Sequence, residues 1–131
     1  MSPAYLLDTQ TLLVWRAAVG AVPNHAKRLL TGKSARLFFS VASVWEICIK
    51  RSLGKLELGI ETREFVESAL SAGVTLLEIR PEHLYRAEDL PWHHHDPFDR
   101  LIVAQALVEN LPIIGSDPKF SSYGVEVIWK S

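Results

Sequence analysis

Cysteine, charge imbalance and long apolar runs are what this chain has least of, and each shortage removes a class of protein. The single Cys48 cannot close an internal disulfide, so a disulfide scaffold is excluded, and its apolar helical surroundings give it the expected role of a small buried hydrophobe in a reducing cytoplasm. Lys plus Arg (14) nearly cancels Asp plus Glu (15), for a formal charge of -1, so no global basic field gathers nucleic acid and any such partner must be held locally. Nowhere do about 18 apolar residues follow one another, as a membrane span would require. The first apolar run has no Lys or Arg before it and is interrupted early by Asp8, unlike a secretory leader. A soluble, unprocessed chain without membrane contact is therefore expected. Repeats, low-complexity tracts and long linkers are missing too, and 131 residues suit one domain over 1–131.

What is present alternates strand-like with helix-like segments. Tyr5–Asp8 reads as a strand leading into a helix through Thr9 and Trp15. After Gly20 and Pro23, Asn24 is expected to cap a helix to about Leu30, with a turn at Thr31–Ser34 and a second strand at Leu37–Phe39. Ser40 or Ser43 opens a helix through about Leu53, stopped by Gly54, and Thr62 caps another to about Ala72, before Gly73. A third strand spans Val74–Ile79, a helix begins at Pro81 and ends near Leu90-Pro91, and Asp96-Pro97 opens a longer helix to about Asn110. Ile113-Ile114 and Val125–Trp129 supply the last strands. Short apolar strands separated by helices imply an α/β fold, a central parallel sheet of about five strands flanked by helices on both faces.

Four acids stand at the ends of apolar segments: Asp8, Glu46, Asp99 and Asp117. Carboxylates against hydrophobic elements are costly to desolvate, and a fold that gathers them is usually rewarded by a divalent cation. In parallel sheets ligands collect at the carboxyl ends of strands, where Asp8 and Asp117 fall. Each acid has a plain structural reading as well. Asp96 can be an N-cap with Pro97 at the first helical position, and Asp99 then sits at the third, like the acid of a capping box. Asp8 with Thr9, and Ser116 with Asp117-Pro118, can likewise serve as strand-to-helix caps. Ser43, Glu46 and Lys50 form one polar stripe at i, i+3, i+7 on an otherwise apolar helix, which a solvated face with an ordinary Glu46–Lys50 pair would also explain. The case for a site rests on joint occurrence, since four caps need not all face one cleft.

Trp92-His93-His94-His95 invites a transition-metal reading, but three consecutive loop residues point in different directions and seldom wrap one ion, so a zinc site is not expected there. Thr9, Ser43 and Ser116 lie beside three of the acids and can orient them, while Lys50, Arg51, Arg100 and Lys119 are either local phosphate contacts or exposed solubilising charges. A phospho-receiver domain shares the fold class but needs an acidic pair after its first strand, whereas Asp8 is flanked by Leu7 and Thr9.

Taken in order, Leu6-Leu7-Asp8-Thr9, Leu12-Leu13-Val14-Trp15, Ser43-Val44-Trp45-Glu46-Ile47 with Lys50, Leu53-Gly54-Lys55-Leu56, Leu90-Pro91 with His94, Asp96-Pro97-Phe98-Asp99-Arg100, and Ile113-Ile114-Gly115-Ser116-Asp117 closing near Tyr123 resemble the PIN-domain nucleases, above all the VapC-type toxins of toxin–antitoxin pairs. The resemblance spans nearly the whole chain. It implies a single PIN-like domain and an endoribonuclease whose Asp8, Glu46, Asp99 and Asp117 hold Mg²⁺ or Mn²⁺, with Asp96 in a supporting place; Arg100, within the same motif, is a candidate for a supporting or substrate contact. It also implies a homodimer and a small antitoxin that reaches into the acidic cleft with a basic residue. One departure is visible: Gln10 follows the Asp-Thr pair where many relatives have His, which bears on specificity if that position touches substrate. Two alternatives share the same acids: a DNA- or RNA-processing nuclease outside any toxin system, and a catalytically silent interaction module whose acids only cap helices.

Overall fold

A computed structural model describes residues 2–17 and 22–130; the break read at Gly20 lies outside them. The sequence alternates as its punctuation suggests: β1 (Ala4–Leu7), α1 (Thr9–Ala17), α2 (Asn24–Thr31), β2 (Arg36–Ser40), α3 (Val41–Ser52), α4 (Thr62–Ser71), β3 (Thr75–Leu77), α5 (Pro81–Glu88), α6 (Pro97–Glu109), β4 (Ile113–Ile114), a 3-10 helix (Pro118–Tyr123) and β5 (Val127–Ile128). The five strands form one parallel sheet in the order β3-β2-β1-β4-β5.

The strands read as apolar runs because successive side chains enter two different cores. Leu6 and Ile113 pack on one face with Ile102, Val103 and Phe120. Leu7 and Ile114 pack on the other with Leu12, Phe39, Ile47 and Phe65. β1 lies at the centre, and the chain builds outward to β2 and β3 on one side before crossing to β4 and β5 on the other. The carboxyl ends of β1 and β4 therefore flank the topological switch point, where loops diverge and leave a crevice.

Several boundaries differ from the sequence reading. Pro23, not Asn24, occupies the N-cap of α2, and Glu61 rather than Thr62 precedes α4, where its N–H donates to Glu64 Oε1 at 3.2 Å. Ser40 is the cap of α3, its Oγ accepting from the Ala42 N–H at 2.9 Å, which leaves Ser43 inside the helix. β3 and β5, the sheet's edge strands, are shorter than the apolar runs that suggested them, because each has a ladder partner on one side only. Gly54 and Gly73 end their helices as expected, at φ of 71° and 95°, a region costly for any side chain with a Cβ.

The orientation of α3 separates the two readings of its polar stripe. Ser43 and Glu46 are buried against the sheet's carboxyl edge, while Trp45 is 58% exposed and Cys48 faces solvent rather than a core. The helix is apolar on nearly every side, and two of its apolar positions, Trp45 and Cys48, stay open to solvent.

Candidate metal centre

Four separate elements deliver the four acids to one cleft of about 280 Å³. Asp8 directly follows β1, Asp117 follows β4 by three residues, Glu46 comes from the middle of α3 and Asp99 from the first turn of α6. Lys50 and Asp96 line the same cleft, and Gln10 opens onto it.

The capping roles are real and leave the acids available. Asp8 Oδ1 accepts the Thr11 N–H at 2.8 Å, and Asp117 Oδ1 accepts the Lys119 N–H at 2.9 Å. Each cap uses one carboxylate oxygen, fixes the side chain and leaves the other oxygen for a ligand. Asp8 Oδ2 lies so near the β4 loop that a Cβ on Gly115 would stand 2.7 Å from it. Asp96 Oδ1 accepts from both Phe98 and Asp99 N–H groups, at 2.9 and 3.0 Å. The return half of the capping box is missing among the described residues: Asp99 makes no bond to the Asp96 N–H, and its carboxylate points into the cleft instead.

This crowding shows in the proton affinities. Burial, opposed by hydrogen bonds from Thr11 and reinforced by Asp117 and Glu46, raises the Asp8 pKa from 3.8 to about 6. Burial and the charges of Asp96, Glu46, Asp8 and Asp117 raise Asp99 from 3.8 to about 7. Glu46 Oε2 pairs with Lys50 Nζ at 2.6 Å, but Oε1 is buried without a hydrogen-bond partner. A buried carboxylate oxygen left unpaired beside three further acids is a costly arrangement that a hard divalent cation would offset, so the donor set fits one. Among the described residues, His94, Asp99 and Asp117 bring three possible ligand atoms within 4.8 Å of one another.

The supporting candidates separate. Thr9 Oγ1 and Ser43 Oγ are hydrogen-bonded to each other at 2.8 Å, both buried, tying the start of α1 to α3 beside Asp8 and Glu46. Ser116 is exposed on the cleft wall. Arg100 does not face substrate space. It is buried, donates through Nη1 and Nη2 to the carbonyls of Pro91, Ala87 and Leu90 at 2.9 to 3.1 Å, and lies 3.6 Å from the centre of the Trp92 ring, so both terminal nitrogens are engaged by the end of α5 and the loop after it. Arg51 turns to Thr62 Oγ1 at 3.0 Å, whereas Lys119 is exposed.

The three histidines do diverge. His95 stacks on Trp92 and His93 meets the edge of Tyr123, both exposed, but His94 is buried with its ring directed at Asp99. Neither His94 nor Tyr123 is marked as a site residue by its sequence surroundings. Their contact spans 29 residues and leaves no local signal, although both stood in the motifs that carry the family resemblance.

The PIN-domain family matches residues 5–126, and the chain belongs to it. No curated protein sequence matches. Solved structures share the fold: VapBC2 from Rickettsia felis, bound to a DNA fragment from its promoter, is 15% identical with a TM-score of 0.72, covering 96% of this chain and 98% of that one. VapC20 from Mycobacterium tuberculosis, described as a sarcin-ricin loop cleaving toxin, is 21% identical with a TM-score of 0.63, covering 95% and 98%. FitAcB from Neisseria gonorrhoeae is 16% identical with a TM-score of 0.61, covering 95% and 96%.

Proposed function

We propose that this chain is a metal-dependent endoribonuclease and the toxin of a toxin–antitoxin pair, with Asp8, Glu46, Asp99 and Asp117 as the ligands of Mg²⁺ or Mn²⁺. The observation that carries the reading is the convergence of these acids from four elements on one cleft at the sheet's switch point. Membership of the PIN family supports nuclease chemistry, and the likeness to a structure described as a loop-cleaving toxin supports RNA as the substrate class.

When bound, a divalent cation supplies an activated water and neutralises the phosphate's developing charge. The chain's own part is to hold the donors still. The Thr11 N–H fixes Asp8, the Lys119 N–H fixes Asp117, and the Thr9–Ser43 bond locks the floor between α1 and α3. Lys50, half-exposed at the rim, keeps its charge beside Glu46 and has donors left for a phosphate of the bound strand. Asp96 acts through the α6 cap, placing Asp99.

The partners follow the same reading: single-stranded or looped RNA, and a cognate small antitoxin inserting a basic residue among the acids. A second copy of this chain fits the apolar surface formed by Trp45, Leu84, Trp92, Pro97 and Leu101, where both tryptophans and Leu84 are at least half exposed. The compartment proposed is the cytoplasm; among the described residues no helix is long and apolar enough to cross a membrane. The test is purified protein with structured RNA in Mg²⁺, Mn²⁺ or EDTA. Metal-dependent cuts that vanish in Asp8→Ala are expected, and cleavage persisting in EDTA would exclude the mechanism.

A further inference from the structure

Coordination by four acids leaves a buried nitrogen beside Asp99 unexplained. His94 is 7% exposed, and its Nε2 has no hydrogen-bond partner. That atom faces Asp99 Oδ2 at 3.7 Å, too far for a hydrogen bond. Two donors bound to one cation at about 2.0–2.2 Å stand roughly 3 Å apart when adjacent and about 4 Å apart when opposite, so the gap suits a shared ion. Asp117 completes the group, the three ligand atoms lying within 4.8 Å of one another.

The other side of the imidazole is prepared for this. Nδ1 lies 2.7 Å from Tyr123 Oη, and the His94 backbone N–H donates to the same oxygen at 3.1 Å. A phenol oxygen has two acceptor sites, so it can take both the backbone N–H and an Nδ1–H. That tautomer leaves Nε2 as a bare lone pair aimed at a carboxylate. With nothing between them the two repel; with a cation between them both are ligands. Holding the non-ligating nitrogen by an oxygen partner is the usual way a metal-binding histidine is oriented.

We infer that His94 Nε2 is a metal ligand, making the centre a mixed nitrogen–oxygen site with Asp99 and Asp117, with Tyr123 as the residue that positions the imidazole. The inference rests on the metal-binding function proposed for the cleft and sharpens it. A nitrogen donor favours transition ions over Mg²⁺, whose coordination prefers oxygen, so Mn²⁺ and Co²⁺ should bind more tightly than Mg²⁺. The other two histidines of the run take no part, since they point outward.

The experiment is pulsed EPR on the Mn²⁺-loaded wild-type protein, prepared with natural-abundance and with ¹⁵N-histidine, together with Mn²⁺ and Mg²⁺ titrations of wild type, His94→Gln and Tyr123→Phe. A directly coordinated nitrogen modulates the Mn²⁺ echo, and its frequencies change with the isotope. We expect this coupling in wild type and its loss in His94→Gln. The ratio of Mn²⁺ to Mg²⁺ affinity should fall at least tenfold in His94→Gln, and Tyr123→Phe should weaken Mn²⁺ by about tenfold. Bound Mn²⁺ without nitrogen coupling, or coupling that survives in His94→Gln, would overturn the role of His94 and leave the four-acid site standing. Absence of any Mn²⁺ binding would overturn both.

Discussion

Gly115 and Asp8 touch across the β1–β4 pair so closely that a Cβ at position 115 would stand 2.7 Å from Asp8 Oδ2 and 2.9 Å from its Cγ. The Asp8 N–H donates to the Ile114 carbonyl at 3.1 Å, so the two backbones are pinned and cannot separate to relieve the clash. The Asp8 carboxylate would have to rotate, giving up either the Thr11 cap at 2.8 Å or its direction into the cleft. Gly115→Ala is therefore expected to cost about 1–3 kcal/mol of stability and, in the folded protein, to weaken Mn²⁺ binding. Thermal melts with a Mn²⁺ series check both; unchanged metal affinity would show that Asp8 Oδ2 is not a ligand.

Asp8 and Asp99 set the pH dependence of the metal-free protein. Their folded pKa values, about 6 and about 7, lie above the 3.8 of an unperturbed Asp, so between these values the folded state binds more protons than the unfolded one. Stability must then fall as pH rises from about 4 to 7, contrary to an ordinary salt-bridged carboxylate. In EDTA the melting temperature of wild type should drop over this range, and in Asp99→Asn it should drop less. At pH 7 in EDTA that variant should melt several degrees higher than wild type, yet gain less when Mn²⁺ is added. A hundredfold excess of metal over its dissociation constant is worth about 2.7 kcal/mol to the wild-type fold. Identical pH profiles in the two proteins would show that the acids do not share one field.

Asp96 and Asp99, three residues apart at the start of the same helix, should separate in mutagenesis. Asp96→Ala removes the acceptor of two N–H groups and should cost roughly 1 kcal/mol, with a modest loss of activity. Asp99→Ala should abolish cleavage. Equal losses of activity at equal stability would give Asp96 a ligand's role instead.

Arg100 is expected to behave as a clamp rather than a phosphate contact. Arg100→Ala leaves the carbonyls of Ala87, Leu90 and Pro91 without their charged donor and removes the support under Trp92, at a cost of about 2–4 kcal/mol. Calorimetry gives the loss of stability directly, and RNA affinity measured below the melting transition should be unaltered. A large affinity loss in a protein of unchanged stability would restore the substrate role.

Much of this architecture was legible because its signals are local. Asp96-Pro97 announces a helix start from its own chemistry, Gly54 and Gly73 mark positive φ, and apolar pairs such as Ile113-Ile114 are strands whose two faces are both covered. What stayed hidden depends on residues far apart in sequence. The Ser43–Glu46–Lys50 stripe reads equally as a solvated face, and only the packing of α3 against β2, α1, α4 and α6 turns Ser43 and Glu46 inward and leaves Trp45 and Cys48 outside. Arg100 resembles any helix-start cation until Pro91, Ala87 and Leu90 present their carbonyls to it. His94 is one of three like neighbours, and only Tyr123, 29 residues on, distinguishes it.

Occupancy of the cleft by a divalent ion among Asp8, Glu46, Asp99 and Asp117 underlies every functional role proposed for these residues. An anomalous difference map from crystals soaked in Mn²⁺ reads that occupancy without reference to activity. A peak is expected in the cleft within about 2.5 Å of carboxylate oxygens of at least two of these acids, and it should be lost in Asp99→Asn. A well-diffracting Mn²⁺ soak with no peak in the cleft, or with its ion on surface residues only, would contradict the metal site.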